Sequence, residues 1–286
     1  MTISQLSRTT RKRLAAVYGD TEAEWMTRAM MEHVFARSRT DLLIDGDKEA
    51  AEVRVGLVDS MTGRLLKGEP LQYILGYETF MGMRINVTPD VLIPRPETEE
   101  LVQLIADRNA GREDLRVLDA GTGSGCIALA LARYLPFSHV TGIDISEEAL
   151  KVARANADRL KVNAEWRKAD MLTLPQPASP LYDIIVSNPP YVLDSEKTSM
   201  EANVLDHEPS IALFVPDSDP LRFYTALCGY ARKALADGGQ IYFELNPLTA
   251  KALATLMETD GWADVDVIRD SRGMNRFLTA RNHRQS

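Results

Sequence analysis

The stretch Val117-Leu118-Asp119-Ala120-Gly121-Thr122-Gly123-Ser124-Gly125 runs straight into the helix-like segment 126–134. An apolar strand, a glycine turn and a helix in that order are the nucleotide-site layout of an open α/β sheet. From Leu115 onward, strand-like and helix-like runs keep alternating, which predicts a mainly parallel sheet with right-handed crossovers. The later strands are expected at 139–145, 164–168, 182–187, 240–245, 264–269 and 276–280. The last two are joined by residues 270–275, too few for a parallel crossover, so the final strand should run antiparallel.

The glycine loop departs from the dinucleotide fingerprint. Its glycines fall at the first, third and fifth places, with Cys126 at the sixth, and it lacks the Lys-Ser/Thr ending of a phosphate-cradling loop. Gly121, Gly123 and Gly125 let backbone approach a ligand closely without requiring a pyrophosphate. The next strand reaches Asp144, placed to accept both hydroxyls of a ribose, while Ser146 caps the helix after it with Glu147 and Glu148 in its first turn. The third strand leads to Asp170 and Met171, placed to border an adenine. An adenosine site without phosphates points to S-adenosyl-L-methionine as cofactor, with S-adenosyl-L-homocysteine as its product.

The apolar run 182–187 ends abruptly in Asn188-Pro189-Pro190-Tyr191. Proline lacks an N–H and restricts the residue before it, so a strand stops here. The break leaves an amide, free carbonyls and an aromatic face. The Asn188 side-chain oxygen and the Pro189 carbonyl can accept the two hydrogens of a planar –NH2 group while Tyr191 covers its plane. Such a nitrogen shares its lone pair with a π-system, and fixing its hydrogens aims that pair at an electrophile.

Composition narrows the class. The 286 residues are 45% hydrophobic and 26% charged, ordinary for a globular protein, and suffice for two domains or one large one. A net charge of −8 argues against a protein built to grip nucleic-acid backbone. Cys126 and Cys228 form no paired motif, which suits a reducing compartment, and His33, His139, His207 and His283 lack metal-ligand spacing. Residues 1–14 are basic without an apolar segment, and no run reaches membrane-spanning length. A soluble, cytoplasmic chain without a metal is expected.

The chain divides near residue 75. Residues 1–72 read as helices: Asp20 can cap one, and Val53, Leu57, Met61 and Leu65, broadened by Val58 and Leu66, form the stripe of a small bundle core. After the Gly68-Glu69-Pro70 break, the alternation across residues 73–87 around Gly82 predicts a β-hairpin, with a linker over 73–94. Pro96 or Glu97 then opens a helix, and residues 95–286 make up the α/β domain.

Taken together, these motifs resemble the HemK/PrmC family. The match rests on residues 68–76, on Phe80-Met81-Gly82, on Leu92-Ile93-Pro94-Arg95-Pro96-Glu97-Thr98-Glu99, on Glu208-Pro209-Ser210-Ile211-Ala212-Leu213 and on Asp270-Ser271-Arg272-Gly273-Met274-Asn275-Arg276. It spans nearly the whole chain. The resemblance implies a class I S-adenosylmethionine-dependent methyltransferase fold: a seven-stranded, mostly parallel sheet with the last strand antiparallel, a small N-terminal helical domain for substrate recognition, and a β-hairpin linker. It also implies methylation of the glutamine side-chain nitrogen in the Gly-Gly-Gln motif of class I peptide-chain release factors, by a monomer that binds neither nucleic acid nor membrane directly.

By the same resemblance, Gly121, Thr122, Gly123, Ser124 and Gly125 line the methionine part of the cofactor, Asp144 takes the ribose, and Asp170 and Met171 border the adenine. Asn188, Pro189, Pro190 and Tyr191 hold the target glutamine, with Asn188 also meeting the cofactor and Asn188, Pro189 and Tyr191 acting in catalysis. Arg95, Pro96 and Glu99 sit close to the cofactor pocket. The chain departs from its relatives at Glu244-Leu245-Asn246-Pro247, where many have a glycine after the glutamate, and at Met81 and Met171, which replace aromatics. The basic ends, 8–13 and 269–284, read as solvated charge or as contacts to the release factor. Two other classes use similar motifs. A DNA or RNA adenine-N6 methyltransferase would place the same tetrapeptide beside a flipped base, but it needs a basic groove. A non-catalytic cofactor-binding module would be expected to lose Asn188 or Asp144.

Overall fold

The structure is a computed structural model and describes residues 1–200 and 202–283. Among these, residues 1–76 with 202–207 form one compact unit, and residues 77–200 with 208–283 form another.

The first unit is helical. Helix α1 (Ile3–Phe35) starts at Thr2, whose hydroxyl accepts the Gln5 amide while the Gln5 side chain accepts the Thr2 amide. It is interrupted at Gly19, where φ of 77° and ψ of 168° take the backbone out of the helix one residue before Asp20. Short α2 (Arg39–Ile44) carries the same reciprocal cap through Ser38 and Asp41. In α3 (Glu52–Leu65) the buried face is Val58, Met61, Thr62 and Leu65, while Val53 and Leu57 stand exposed. The expected stripe therefore fails at its N-terminal end. A four-residue step overshoots a helical turn by about 40°, so a strict i, i+4 row spirals off the core within two steps. Met61 and Leu65 pack with Leu14, Met30, Leu71 and Ile74 in the core of this unit. Helix α4 (Leu71–Leu75) takes up the start of the segment expected to be a hairpin. Pro70 precedes it, and Gly76, at φ 79°, ends it in the left-handed conformation.

The second unit opens with the hairpin β1 (Tyr77–Phe80) and β2 (Met83–Asn86). Its two-residue turn, Met81-Gly82, has both φ values positive, at 48° and 69°, the combination whose twist suits a tight hairpin. Helix α5 (Pro96–Arg108) comes next, with proline at its first position. Strand β3 (Arg116–Ala120), helix α6 (Cys126–Tyr134), β4 (His139–Asp144), α7 (Glu147–Leu160) and β5 (Glu165–Lys168) alternate as the sequence predicts, but β6 (Tyr182–Ser187) follows β5 with no helix over residues 169–181. A small parallel pair, β7 (Val192–Leu193) and β8 (Phe214–Val215), precedes the helix Arg222–Ala234, β9 (Leu235–Glu244), the helix Ala250–Thr259, β10 (Ala263–Arg269) and β11 (Asn275–Arg281).

The seven-stranded sheet has the order β10-β11-β9-β6-β3-β4-β5, with β11 antiparallel to both neighbours. Neighbouring side chains on each strand go to opposite faces. Val117, Ile184, Tyr242 and Phe277 meet α5 and α6 on one face, while Leu118, Ile185, Phe243 and Leu278 meet the helices Arg222–Ala234 and Ala250–Thr259 on the other. The order reverses at β3, with β4 on one side and β6 on the other. A crevice therefore opens at the carboxyl ends of these strands, where open α/β sheets bind ligands. No helix among the described residues is long and apolar enough to cross a membrane.

Candidate active site

The glycine loop leaves β3 as a braced turn. Gly121 N–H and Thr122 N–H both donate to the Ile143 carbonyl at 2.9 Å, tying the loop to β4. Asp119, fully buried at the end of β3, accepts the Thr122 hydroxyl at 2.6 Å and the Ala128 amide at 3.1 Å. Burial pushes its carboxyl up to about 7, because two donors do not replace the lost hydration. The glycines differ in what they do. A Cβ on Gly121 would stand 2.8 Å from Met171 Cε, on the cavity wall. One on Gly125 would stand 2.9 Å from the Trp166 ring and 3.1 Å from Ala153 Cβ, so this glycine lets α6 pack close to α7 and β5. Both have φ near 80° (76° and 81°), conformations that β-carbons disfavour.

Asp144 closes the loop from the β4 side. It accepts the Gly123 amide and the Ser146 amide, each at 2.9 Å, and burial pushes its carboxyl upward. Each oxygen keeps further lone-pair capacity for hydroxyl donors. Ser146 caps α7 as expected, accepting the Ala149 amide at 3.2 Å. Asn156, fully buried on α7, exchanges two hydrogen bonds with the Asn86 backbone (2.8 and 3.0 Å) and donates to the Ser124 carbonyl at 3.0 Å, so it clamps hairpin and glycine loop together.

On the other side of β3, the Ser187 hydroxyl donates to the Ala120 carbonyl at 2.6 Å and pins the end of β6. Beyond it, Asn188 Nδ2 donates to Thr98 Oγ1 at 3.2 Å, and Thr98 Oγ1 in turn donates to Glu244 Oε2 at 2.7 Å. The Tyr191 hydroxyl donates to Glu244 Oε1 at 3.0 Å. Tyr191 is thus anchored at its polar end, and burial beside Glu244 holds its hydroxyl proton on. Neither Asn188 Oδ1 nor the Pro189 carbonyl takes a hydrogen bond from a described residue.

These groups surround a cavity of about 370 Å³, lined among others by Thr98, Gly121, Thr122, Gly123, Ser124, Asp144, Asp170, Met171, Asn188 and Pro190. Gly125, Pro189 and Tyr191 contribute no lining, the first because it faces α7 and β5, the last because its ring leads to Glu244. Of the Arg95, Pro96 and Glu99 group only Arg95 lines the cavity, paired there with buried Glu208. Pro96 starts α5, and Glu99 turns away to accept the Met81 amide in the hairpin. The cavity wall at Gly121 has room for backbone but not for a Cβ, and the strand-end carboxylate lies beside it, a shape and an acceptor that fit an adenosine-bearing cofactor.

A family described as "Methyltransferase domain" matches residues 112–244, and one described as "PrmC N-terminal domain" matches residues 5–76. A release factor glutamine methyltransferase from Bacteroides thetaiotaomicron is 43% identical over 270 residues, covering 94% of this chain and 96% of the relative. The chain belongs to the release factor glutamine methyltransferase family. A second member, from Flavobacterium psychrophilum, is 37% identical over 268 residues, covering 93% and 94% of the two chains. The crystal structure of a methyltransferase from Pyrococcus furiosus shares the fold, with a TM-score of 0.52 at 19% identity, covering 79% of this chain and all of that one. The protein is therefore an S-adenosyl-L-methionine-dependent methyltransferase.

Three residues of this family member escape a reading of motifs. Thr98 lies inside the Pro-rich string without a role of its own there, Glu244 stands out only through the glycine missing after it, and Asn156 belongs to no motif. Two of them carry the same signal, a polar residue in an apolar context: Glu244 ends Ile241-Tyr242-Phe243, and Asn156 sits between Ala153 and Ala157 on a buried helix face; Thr98, among Glu97, Glu99 and Glu100, carries none.

Proposed function

We propose that the protein transfers a methyl group from S-adenosyl-L-methionine to the side-chain amide nitrogen, N5, of the glutamine in the Gly-Gly-Gln motif of class I peptide-chain release factors, in the cytoplasm. The observation that carries this reading is Asn188, which lines the cavity beside the glycine loop with an Oδ1 that takes no hydrogen bond from a described residue. Similarity over nearly the whole length to relatives named for release factor glutamine favours it over methylation of adenine in nucleic acid.

The cofactor, when bound, supplies an electrophilic methyl group. The glycine loop and Asp144 hold it by backbone approach and ribose hydroxyls, with Asp170 and Met171 at the adenine. Asn188 Oδ1 and the Pro189 carbonyl each take one hydrogen of the glutamine amide, which turns the nitrogen lone pair out of conjugation and toward the electrophile. Pro190 shapes the wall beside that amide, and Tyr191, fixed through Glu244, holds the loop in place. No strong base is required beforehand, since the alkylated nitrogen is acidic and loses its proton to solvent. We assign the helical unit, residues 1–76 with 202–207, to recognition of the release factor, and treat the protein as a monomer.

The test is single-turnover methylation of a release factor, read by mass spectrometry of the Gly-Gly-Gln peptide. Asn188→Ala should slow transfer by on the order of 10² or more with cofactor affinity largely kept. A release factor with glutamate at the motif should be excluded by ~10⁴, because a carboxylate offers two acceptors no hydrogen. Near-normal transfer by Asn188→Ala, or methylation of the glutamate variant, would refute this reading.

A further inference from the structure

A primary amide has two faces that differ only in hydrogen-bonding sense. If the Asn188 side chain rotated by half a turn, it would present its –NH2 to the substrate in place of its oxygen. Little in a pocket's shape separates the two states, so something has to choose between them. Thr98 and Glu244 stand at that decision. Glu244 is 1% exposed and Thr98 2% exposed, so no water competes for their hydrogen bonds. Glu244 lies beneath two hydroxyls, each directed at one of its oxygens, Thr98 Oγ1 at 2.7 Å and the Tyr191 hydroxyl at 3.0 Å. With its only hydrogen given to Glu244, Thr98 Oγ1 is left as an acceptor. The Asn188 atom facing it at 3.2 Å must therefore be the Nδ2 donor, which leaves Oδ1 for the cavity.

We propose that Thr98 and Glu244 are positioning residues that fix which way the Asn188 amide faces, and so make the site select a substrate group with hydrogens to give. This rests on the reading that Asn188 holds the target amide. Burial, and to a lesser degree the charge of Glu97, push the Glu244 carboxyl upward, while both hydroxyls and the charge of Arg276 work against that shift toward its acceptor-only form. Tyr191, whose burial keeps its proton on, serves as the second donor that holds the carboxylate in place. The selection of glutamine over glutamate is then set through Asn188 by its direct partner Thr98 and, one step further, by Glu244.

The inference separates from ordinary structural support by its effect on the wrong ligand. In Thr98→Val the shape is kept and the acceptor lost, so Asn188 is free to turn its –NH2 toward the cavity. The rate constant for a Gly-Gly-Gln peptide should fall roughly tenfold or more, while a Gly-Gly-Glu peptide should become a better competitive inhibitor than it is of the wild type. Thr98→Ser restores the hydroxyl and should recover both properties. Adding Thr98→Val to Asn188→Ala should cost little further rate, since the residue acts through Asn188. An Asn188→Ala enzyme at wild-type rate would overturn the assignment of Asn188 and this inference with it. A slow Asn188→Ala beside an unimpaired Thr98→Val, or a Thr98→Val that weakens both peptides alike, would overturn this inference alone.

Discussion

Asp144 accepts the Gly123 amide at 2.9 Å, which makes the end of β4 and the glycine loop one mechanical unit. The same carboxylate takes the Ser146 amide at the start of α7, so one side chain ties together the end of β4, the glycine loop and the start of α7, at the place we assign to the ribose. Asp144→Ala should therefore weaken cofactor binding by more than one lost contact, with a hydrogen bond to a charged group contributing ~1.5–3 kcal/mol. Calorimetric titration with S-adenosyl-L-methionine checks it, and unchanged affinity would remove the ribose assignment.

Gly121 and Gly125 should separate binding from folding. Gly121→Ala sets a Cβ 2.8 Å from Met171 Cε, a flexible end on the cavity wall, so cofactor affinity should drop with a modest fall in Tm. Gly125→Ala meets the rigid Trp166 ring at 2.9 Å and should lower Tm more. The left-handed backbone alone costs each roughly 1–2 kcal/mol. Thermal melts with and without cofactor would show whether the two losses divide this way.

Asp119 should make stability fall as pH rises. Its native carboxyl is pushed up to about 7, against an unfolded value of ~3.9. The native state therefore holds a proton that the unfolded chain has released, and stability drops by up to ~1.4 kcal/mol per pH unit across that interval. The contribution is complete below the unfolded value and lost above the native one. Asp119→Asn cannot ionise, so its stability relative to wild type should climb from about pH 4 to about pH 7 and then level off. Urea melts across that range measure the difference, and parallel curves for the two proteins would contradict the assignment.

The helical unit should matter for a protein substrate and not for the chemistry. A fragment starting at Tyr77, once shown to fold, should bind cofactor and methylate a short Gly-Gly-Gln peptide at a rate close to that of the whole enzyme, yet act far more slowly on an intact release factor. Equal losses on both substrates would remove the recognition role.

Much of this protein is written in local sequence. Alternating strand and helix runs, a glycine turn and a double proline declare the parallel sheet and its ligand edge, since each obeys a rule of backbone sterics or of period that acts over a few residues. The bounds of α6 and of β6 come directly from this. A pattern that needs a partner to interpret it misleads. Val53 and Leu57 fit a helical stripe but face outward, because only the packed helices define which side is the core. Residues 73–75 alternate like a strand but coil, because Pro70 and Gly76 bound a turn of helix. Tertiary structure alone decided how distant chain segments share hydrogen bonds. Thr98, Asn188 and Glu244 come from α5, the end of β6 and the end of β9, and nothing in the spacing of those residues announces that they meet. The physical reason lies in burial: once these groups leave water, each donor must find its acceptor, and that requirement, met across the fold, orients the Asn188 amide.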